Sequence, residues 1–230
     1  MDLGFDILYE DDPCMVICKH AGILTQAPRG IDSLEVRIKE FLKRRSGAAD
    51  DVYLGLPHRL DRPATGAMIV AKTYGATRRL GMQFEHRKVH KVYWACVEGQ
   101  IAPESGTWED YVIKIPGVPQ AEVVAPDHPQ GRTAVLHYRV LATAEWGTCL
   151  EITLETGRTH QIRVQAGTRG HPLLGDARYG STVTFGPYYE DERLRPIALH
   201  ARSLTFHHPV SKEAMSVTAP LPEYWPPIEM

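Results

Sequence analysis

Residues 88–99 read KVHKVYWACVEG, and their alternation sets Val89, Lys91, Tyr93, Ala95 and Val97 along one face of a long strand. That period-two pattern recurs along the chain. FDILYEDD (5–12) and MVICKHAG (15–22) predict two short strands joined by an acidic turn, with Gly22 ending the second. An apolar run at 67–72 predicts another strand, and two more follow near 134–142 and 148–155 around a turn at Trp146-Gly147. IALHARSLTFHH (197–208) predicts a last strand before a Pro-rich tail. Helical spacing is confined to three places. Leu34, Ile38, Phe41 and Leu42 recur at i, i+4, i+7 and i+8 behind Asp32 and Glu35, which are placed to cap that helix. A second helix is predicted from Tyr74 to about Arg87, with Leu80 and Phe84 inward, and Thr159 is placed to cap a short one from His160 to about Thr168. Pro- and Gly-rich connections are predicted over 103–107 and 115–133, and a long loop with Tyr188-Tyr189 after Pro172. Strands that mostly follow one another, with so few helices between them, predict an α+β fold on a largely antiparallel sheet.

A chain of 230 residues with 43% apolar content suits one sizeable domain, or two lobes sharing a sheet, and is not a disordered composition. No signal-peptide pattern and no apolar run near the roughly 18 residues of a bilayer span are present, so a cytoplasmic protein is expected. Cys14, Cys18, Cys96 and Cys149 form no paired framework and predict reduced thiols. No second Cys/His pair follows Cys14 and Cys18, so no metal site is expected. A net charge of −2 argues against indiscriminate nucleic-acid binding, but the charge is uneven. Six Lys/Arg against Glu85 alone lie between Lys72 and Lys91, and five against Glu40 alone between Arg37 and Arg45. Acids gather instead at Glu10–Asp12 and Glu190–Glu192. Two basic helix faces follow, as a functional surface or as ordinary solvated faces.

Three segments carry residues suited to chemistry. In HRLDRPATG (58–66), Arg59, Asp61 and Arg62 crowd together where an irregular loop enters the apolar run. A carboxylate beside guanidinium groups is held ionised, a poor general acid but a fit nucleophile or partner for a developing cation. A structural salt bridge is the alternative. In LETGRTHQIRVQAGTRGHPLLGDARYG (154–180), Arg158, His160 and Arg163 lie at or near a helix start, where backbone N–H groups also favour anions. Solvent-exposed arginines on a cap are the alternative there. Tyr93 is an aromatic on a strand face of small apolar residues, a core tyrosine by periodicity alone.

Taken together, HRLDRPATG, KVYWACVEG, and GRTHQIRVQ with GHPLLGDARYG resemble, in order, the motifs of the RluA family of pseudouridine synthases. ILYEDDPCMVICKHAG and LHARSLTFHHP fit the same pattern near the two ends. Ala64-Thr65 departs from the usual Thr-Ser, His20 stands where a Pro is common, and Gln165 replaces a frequent His. The resemblance implies a single catalytic domain over 1–230, two lobes sharing a largely antiparallel mixed sheet flanked by helices and loops, with a central RNA-binding cleft. An S4-type RNA-binding domain is not expected before the first strand. It implies isomerisation of uridine to pseudouridine in structured ribosomal or transfer RNA, with no cofactor and no metal. Asp61 maps onto the catalytic aspartate, Arg163 onto the arginine expected to pair with it, and Tyr93 onto the tyrosine that stacks on the uracil. Ile162 is expected to wall the base, and Arg59 and Arg62 to fill the vacated stack or hold phosphates, with Arg158 and His160 also on the RNA. A monomer without an obligate protein partner is expected, not associated with membranes.

Two other readings use the same residues. A nucleoside or glycoside hydrolase needs a second carboxylic acid as proton donor. The nearest is Asp176, in a Gly-Asp turn that reads as structural. A non-catalytic RNA-binding protein has no use for Asp61, Tyr93 and Arg163 together.

Overall fold

A computed structural model describes residues 3–47 and 49–228. In chain order its elements are β1 (Phe5–Glu10), β2 (Cys14–Lys19), α1 (Leu34–Ser46), β3 (Thr65–Ala71), α2 (Tyr74–Glu85), β4 (His90–Val97), β5 (Ser105–Lys114), β6 (Ala121–Val124), β7 (Arg132–Ala144), β8 (Gly147–Leu154), α3 (Gln161–Thr168), β9 (Leu199–His207) and β10 (Ala214–Thr218). Strand pairing is antiparallel except between β3 and β9, which bears out the α+β expectation. The chain divides into two compact units: residues 1–91, 189–195 and 200–222 in the first, and 92–188, 196–199 and 223–230 in the second.

In the first unit β2 pairs with β1 on one side and β3 on the other, from Cys14↔Ala71 to Lys19↔Gly66. Every residue of β2 and β3 is buried, so these strands read as continuous apolar runs rather than alternating ones. Cys14, Val16, Cys18, Ala67, Ile69 and Ala71 pack with Ala76 and Leu80 of α2 and Leu204 and Phe206 of β9. Where β3 begins, Thr65 and Gly66 pair in parallel with His200 and Ala201. Gly66 has φ +113, and a Cβ there would land on the Ala201 backbone, so the close approach of β3 to β9 requires glycine. Thr65 Oγ1 and His200 Nδ1, 2.7 Å apart, fasten the same junction. β10, which pairs along β9, falls where only a Pro-rich tail was expected.

Helix α1 is capped by Ser33, whose hydroxyl accepts from the Val36 N–H, and not by Asp32. Asp32 instead pairs with Arg37 at 2.6 Å. Lys39 meets Glu35 at 2.7 Å and Arg44 meets Glu40 at 3.3 Å, while Arg45 and Lys72 both reach Glu10. The basic run of α1 is thus largely matched by local acids. Thr73 caps α2, which ends at Glu85, two residues earlier than expected; Arg87 beyond it is left-handed (φ 55).

In the second unit the strand order is β4-β8-β7-β5-β6, antiparallel throughout. The predicted turn at Trp146-Gly147 is a tight β7–β8 hairpin, in which Gly147 takes φ 139 and packs against the Val97 carbonyl. The region expected as connections holds the start of β5 and all of β6. Helix α3 rests on this sheet through Val164, packed with Val112, Ala121 and Ala134.

Two histidines of the first unit are buried and neutral. Burial, with Lys91 nearby, lowers the pKa of His58 to about 3, and burial lowers that of His200 to about 4. Unfolded, each takes a proton near pH 6.5, so the unfolded chain binds more protons below that value. Stability is therefore fully present above about pH 6.5 and falls as pH drops toward 4. Melting temperature should decline over that acid range, and His58→Asn should flatten the decline; an identical slope in the variant contradicts this account.

Candidate active site

Asp61 lies on an irregular loop, and four side-chain arrangements of the first unit fix that loop's backbone. His58 is stacked on Phe84 with ring centroids 4.4 Å apart, and its Nε2 accepts the Ile69 N–H at 3.0 Å. That bond places the histidine's proton on Nδ1. The Thr25 hydroxyl donates to the Leu60 carbonyl at 2.8 Å and accepts the Leu60 N–H at 3.3 Å. Arg62 and Gly22 exchange two bonds: the Gly22 N–H donates to the Arg62 carbonyl and Arg62 Nε to the Gly22 carbonyl, both at 2.9 Å. Lys19, fully buried at the end of β2, donates to the carbonyls of His20 (2.9 Å), Arg62 (3.1 Å) and Ala64 (2.9 Å). The Ala64 N–H closes a turn onto the Asp61 carbonyl at 3.2 Å. Asp61 itself is half-buried, and Arg59 is exposed.

In the second unit α3 begins at His160, a left-handed residue (φ 52) without a side-chain cap, so Thr159 does not cap it. His160 Nδ1 lies 2.8 Å from the Tyr179 hydroxyl, which also accepts the Ala121 N–H at 2.9 Å. Gln161 ties the loop before the helix, accepting from Thr156 Oγ1 (2.8 Å) and the Arg158 N–H (3.0 Å). Arg163 is buried and forks onto Asp176, Nε to Oδ2 at 2.6 Å and Nη2 to Oδ1 at 2.8 Å, with its guanidinium 5.1 Å from the Tyr179 ring centroid. Gln165, where relatives often carry His, is buried and donates to the Trp108 and Ala134 carbonyls and to Asp110, tying α3 to β5 and β7. Ile162 is buried beside Arg163, and Arg158 is exposed, its Nε donating to the Thr133 carbonyl at 2.9 Å. Tyr93, opposite Ile152 in β8, is 8% exposed on a strand whose later residues are buried on both faces.

The geometry brings a half-buried carboxylate onto a rigid turn in one unit, and a fixed guanidinium beside an apolar residue in the other. The description "RNA pseudouridylate synthase" belongs to the family whose model matches residues 13–167. An uncharacterized RNA pseudouridine synthase of Synechocystis is 36% identical over 230 residues, covering 97% of this chain and 68% of the relative. The ribosomal large subunit pseudouridine synthase D of Pseudomonas aeruginosa is 36% identical over 228 residues, covering 96% and 70%.

The chain belongs to this family of RNA pseudouridine synthases.

It is an enzyme, an intramolecular isomerase acting on RNA. Human RNA pseudouridylate synthase domain containing 4 shares the fold at TM-score 0.77 and 23% identity, over 95% of this chain and 89% of that one. Among the described residues no helix is long and apolar enough to cross a membrane.

One trio of metal-capable side chains occurs among the described residues, Asp11, Cys14 and His208, with ligand atoms within 4.8 Å of one another. Hydrogen bonds already engage them. Asp11 accepts from Tyr9, from Cys14 and, at 2.6 Å, from His208 Nε2. His208 Nδ1 accepts the Val210 and Ser211 N–H groups, so Nε2 carries the proton and has no lone pair for a metal. Burial and Asp11 together push the Cys14 thiol up to about 12. The trio pins the turn after β1 to the turn after β9.

The residues missed from sequence are Lys19, Thr25 and His58, which shape the loop, and Tyr179. Lys19 closes an apolar strand whose other residues are all buried, and that run was the available signal. Asp176 belongs with them. It was read as a structural turn residue, and its carboxylate is the buried partner of Arg163. Breaking a buried ion pair from one side costs about 3–5 kcal/mol, whereas replacing both partners by apolar groups costs far less. Asp176→Asn should therefore lower unfolding stability in urea by about that amount. The double variant Arg163→Met/Asp176→Leu should lose much less than the two single losses added; additive losses contradict the pairing.

Proposed function

We propose that this pseudouridine synthase modifies uridine in the RNA of the large ribosomal subunit, with Asp61 as its catalytic carboxylate. The observation that carries the target is the likeness to ribosomal large subunit pseudouridine synthase D of several bacteria, at 36% identity over 96% of this chain for Pseudomonas aeruginosa and 36% over 96% for Xanthomonas campestris. The assignment of Asp61 is supported by the motif it occupies and by the number of side chains that hold its loop.

The reaction cleaves the C1′–N1 bond, turns the uracil and joins C5 to C1′, with no redox change and no net hydrolysis. Asp61 serves as the nucleophile at C1′ or as the base that removes a ribose proton to give a glycal. A paired uridine is out of reach in its stack, so it is extruded at a cost of a few kcal/mol in lost stacking. Arg59 is suited to take up the vacated space, being exposed and two residues from Asp61, with a planar guanidinium that stacks on bases. Arg62 has its Nε engaged by the Gly22 carbonyl, which favours a fixed phosphate contact over a mobile one. Tyr93 is assigned to stack on the uracil and Ile162 to wall it. Arg163 belongs to the same reading as the charge partner of Asp61, and Arg158 and His160 as groups near the RNA. The two units act as one catalytic domain.

Incubating the protein with protein-free large-subunit RNA, small-subunit RNA and pooled transfer RNA, then mapping pseudouridines, tests the target. One or a few sites confined to large-subunit RNA are expected. Modification of transfer RNA alone overturns the target and leaves the activity standing.

A further inference from the structure

A lysine ammonium carries three N–H donors, and all three of Lys19's have carbonyl partners within 3.1 Å. The side chain has no access to water. Two of its acceptors, Arg62 and Ala64, belong to the turn that the Asp61 carbonyl closes, and the third, His20, belongs to the residue after Lys19. A neutral amine has two N–H groups and a lone pair, so it satisfies two of these carbonyls and faces the third with a repulsive electron pair. The arrangement is therefore one for the charged form, and Asp61 is the carboxylate whose charge Lys19 feels.

We propose that Lys19 is a positioning residue for the isomerisation: its buried ammonium locks the turn that carries Asp61 and holds a positive charge beneath the carboxylate. The proposal rests on Asp61 as the catalytic group. Lys19 touches no substrate in this account; it acts through the backbone on either side of Asp61. Four groups set its charge. Burial and the Arg62 guanidinium pull its pKa down to about 7, while Asp61 and the Cys18 thiol on its own strand pull it up. His20, next in sequence, is paired with Asp6 at 2.8 Å. Below about pH 7 the ammonium predominates and the turn is clamped; above it the third bond is lost and the turn loosens. A lysine of merely structural value changes stability with pH. A positioning lysine also changes the rate of the folded enzyme.

Single-turnover rates at saturating RNA, measured from about pH 6 to 9 with melting temperatures in the same buffers, test this. The wild-type rate should fall as pH rises through the Lys19 titration while the fold stays intact. Lys19→Met should be slower by about 10²-fold at pH 6, with RNA affinity little changed and no alkaline decline. Lys19→Arg, charged throughout, should also lose the decline and recover only part of the rate, because a planar fork does not cap three converging carbonyls. Variants that lose melting temperature but keep both the rate and the alkaline decline overturn the proposal. Where neither variant folds, the wild-type profile decides, and a flat profile overturns it. Asp61→Asn run alongside separates the two failures: an active Asp61→Asn removes the assignment of Asp61, whatever the Lys19 profiles show.

Discussion

A charge cut off from water must be given partners by the protein, and beneath the Asp61 turn the buried ammonium of Lys19 imposes that demand. Taking an ion out of water costs several kcal/mol unless hydrogen bonds replace its hydration. Lys19 has only backbone carbonyls to bond, so the chain around it must point three of them inward. That fixes the course of residues 62–64 and of residue 20. Arg62 and Gly22 are then held close enough to exchange two further bonds, and Thr25 clasps Leu60 on the other side of Asp61. Gly66 completes the constraint, because β3 leaves this loop against the Ala201 backbone. A loop with no regular secondary structure is thereby as determined as a strand. Such a loop suits a group that must meet one carbon atom of a flipped nucleotide.

The second unit applies the same device with a different cation. Arg163 is buried and Asp176 takes one edge of its guanidinium fork, while Tyr179 lies under the plane. His160, Tyr179 and the Ala121 N–H continue the chain of contacts from α3 to β6. Lys19 is satisfied by carbonyls and Arg163 by a carboxylate, which follows their donor geometry: three converging N–H groups for a point charge, two parallel ones for a planar fork. In both units, then, the side chains that shape the candidate site are also part of the core.

What was legible in the sequence follows from what local patterns encode. Strand periodicity and turn residues located β1, β2, β3, β4, β7, β8 and β9, and the motif order indicated the family. The failures have separate physical causes. Ser33 and not Asp32 caps α1 because Asp32 is drawn to Arg37, a side-chain choice that spacing cannot distinguish. β10 was hidden in a segment rich in proline because its pairing with β9 is a tertiary matter. The left-handed His160 gave no signal, since a non-glycine residue adopts that conformation only where its surroundings compel it. Lys19 was overlooked because a lysine is ordinarily solvated, and nothing local says that three carbonyls await it. The basic run of α1 suggested a surface for RNA, but its acids arrive from Asp32, Glu35, Glu40 and Glu10, the last brought in by the fold.

The central claim is that Asp61 performs the chemistry. The most direct measurement is the single-turnover yield of pseudouridine from large-subunit RNA with the wild type and with Asp61→Asn, at RNA saturation established by separate binding titrations. The account predicts no detectable pseudouridine from the variant, with RNA affinity within a few-fold of the wild type. Pseudouridine formed by Asp61→Asn at a rate near that of the wild type would contradict it.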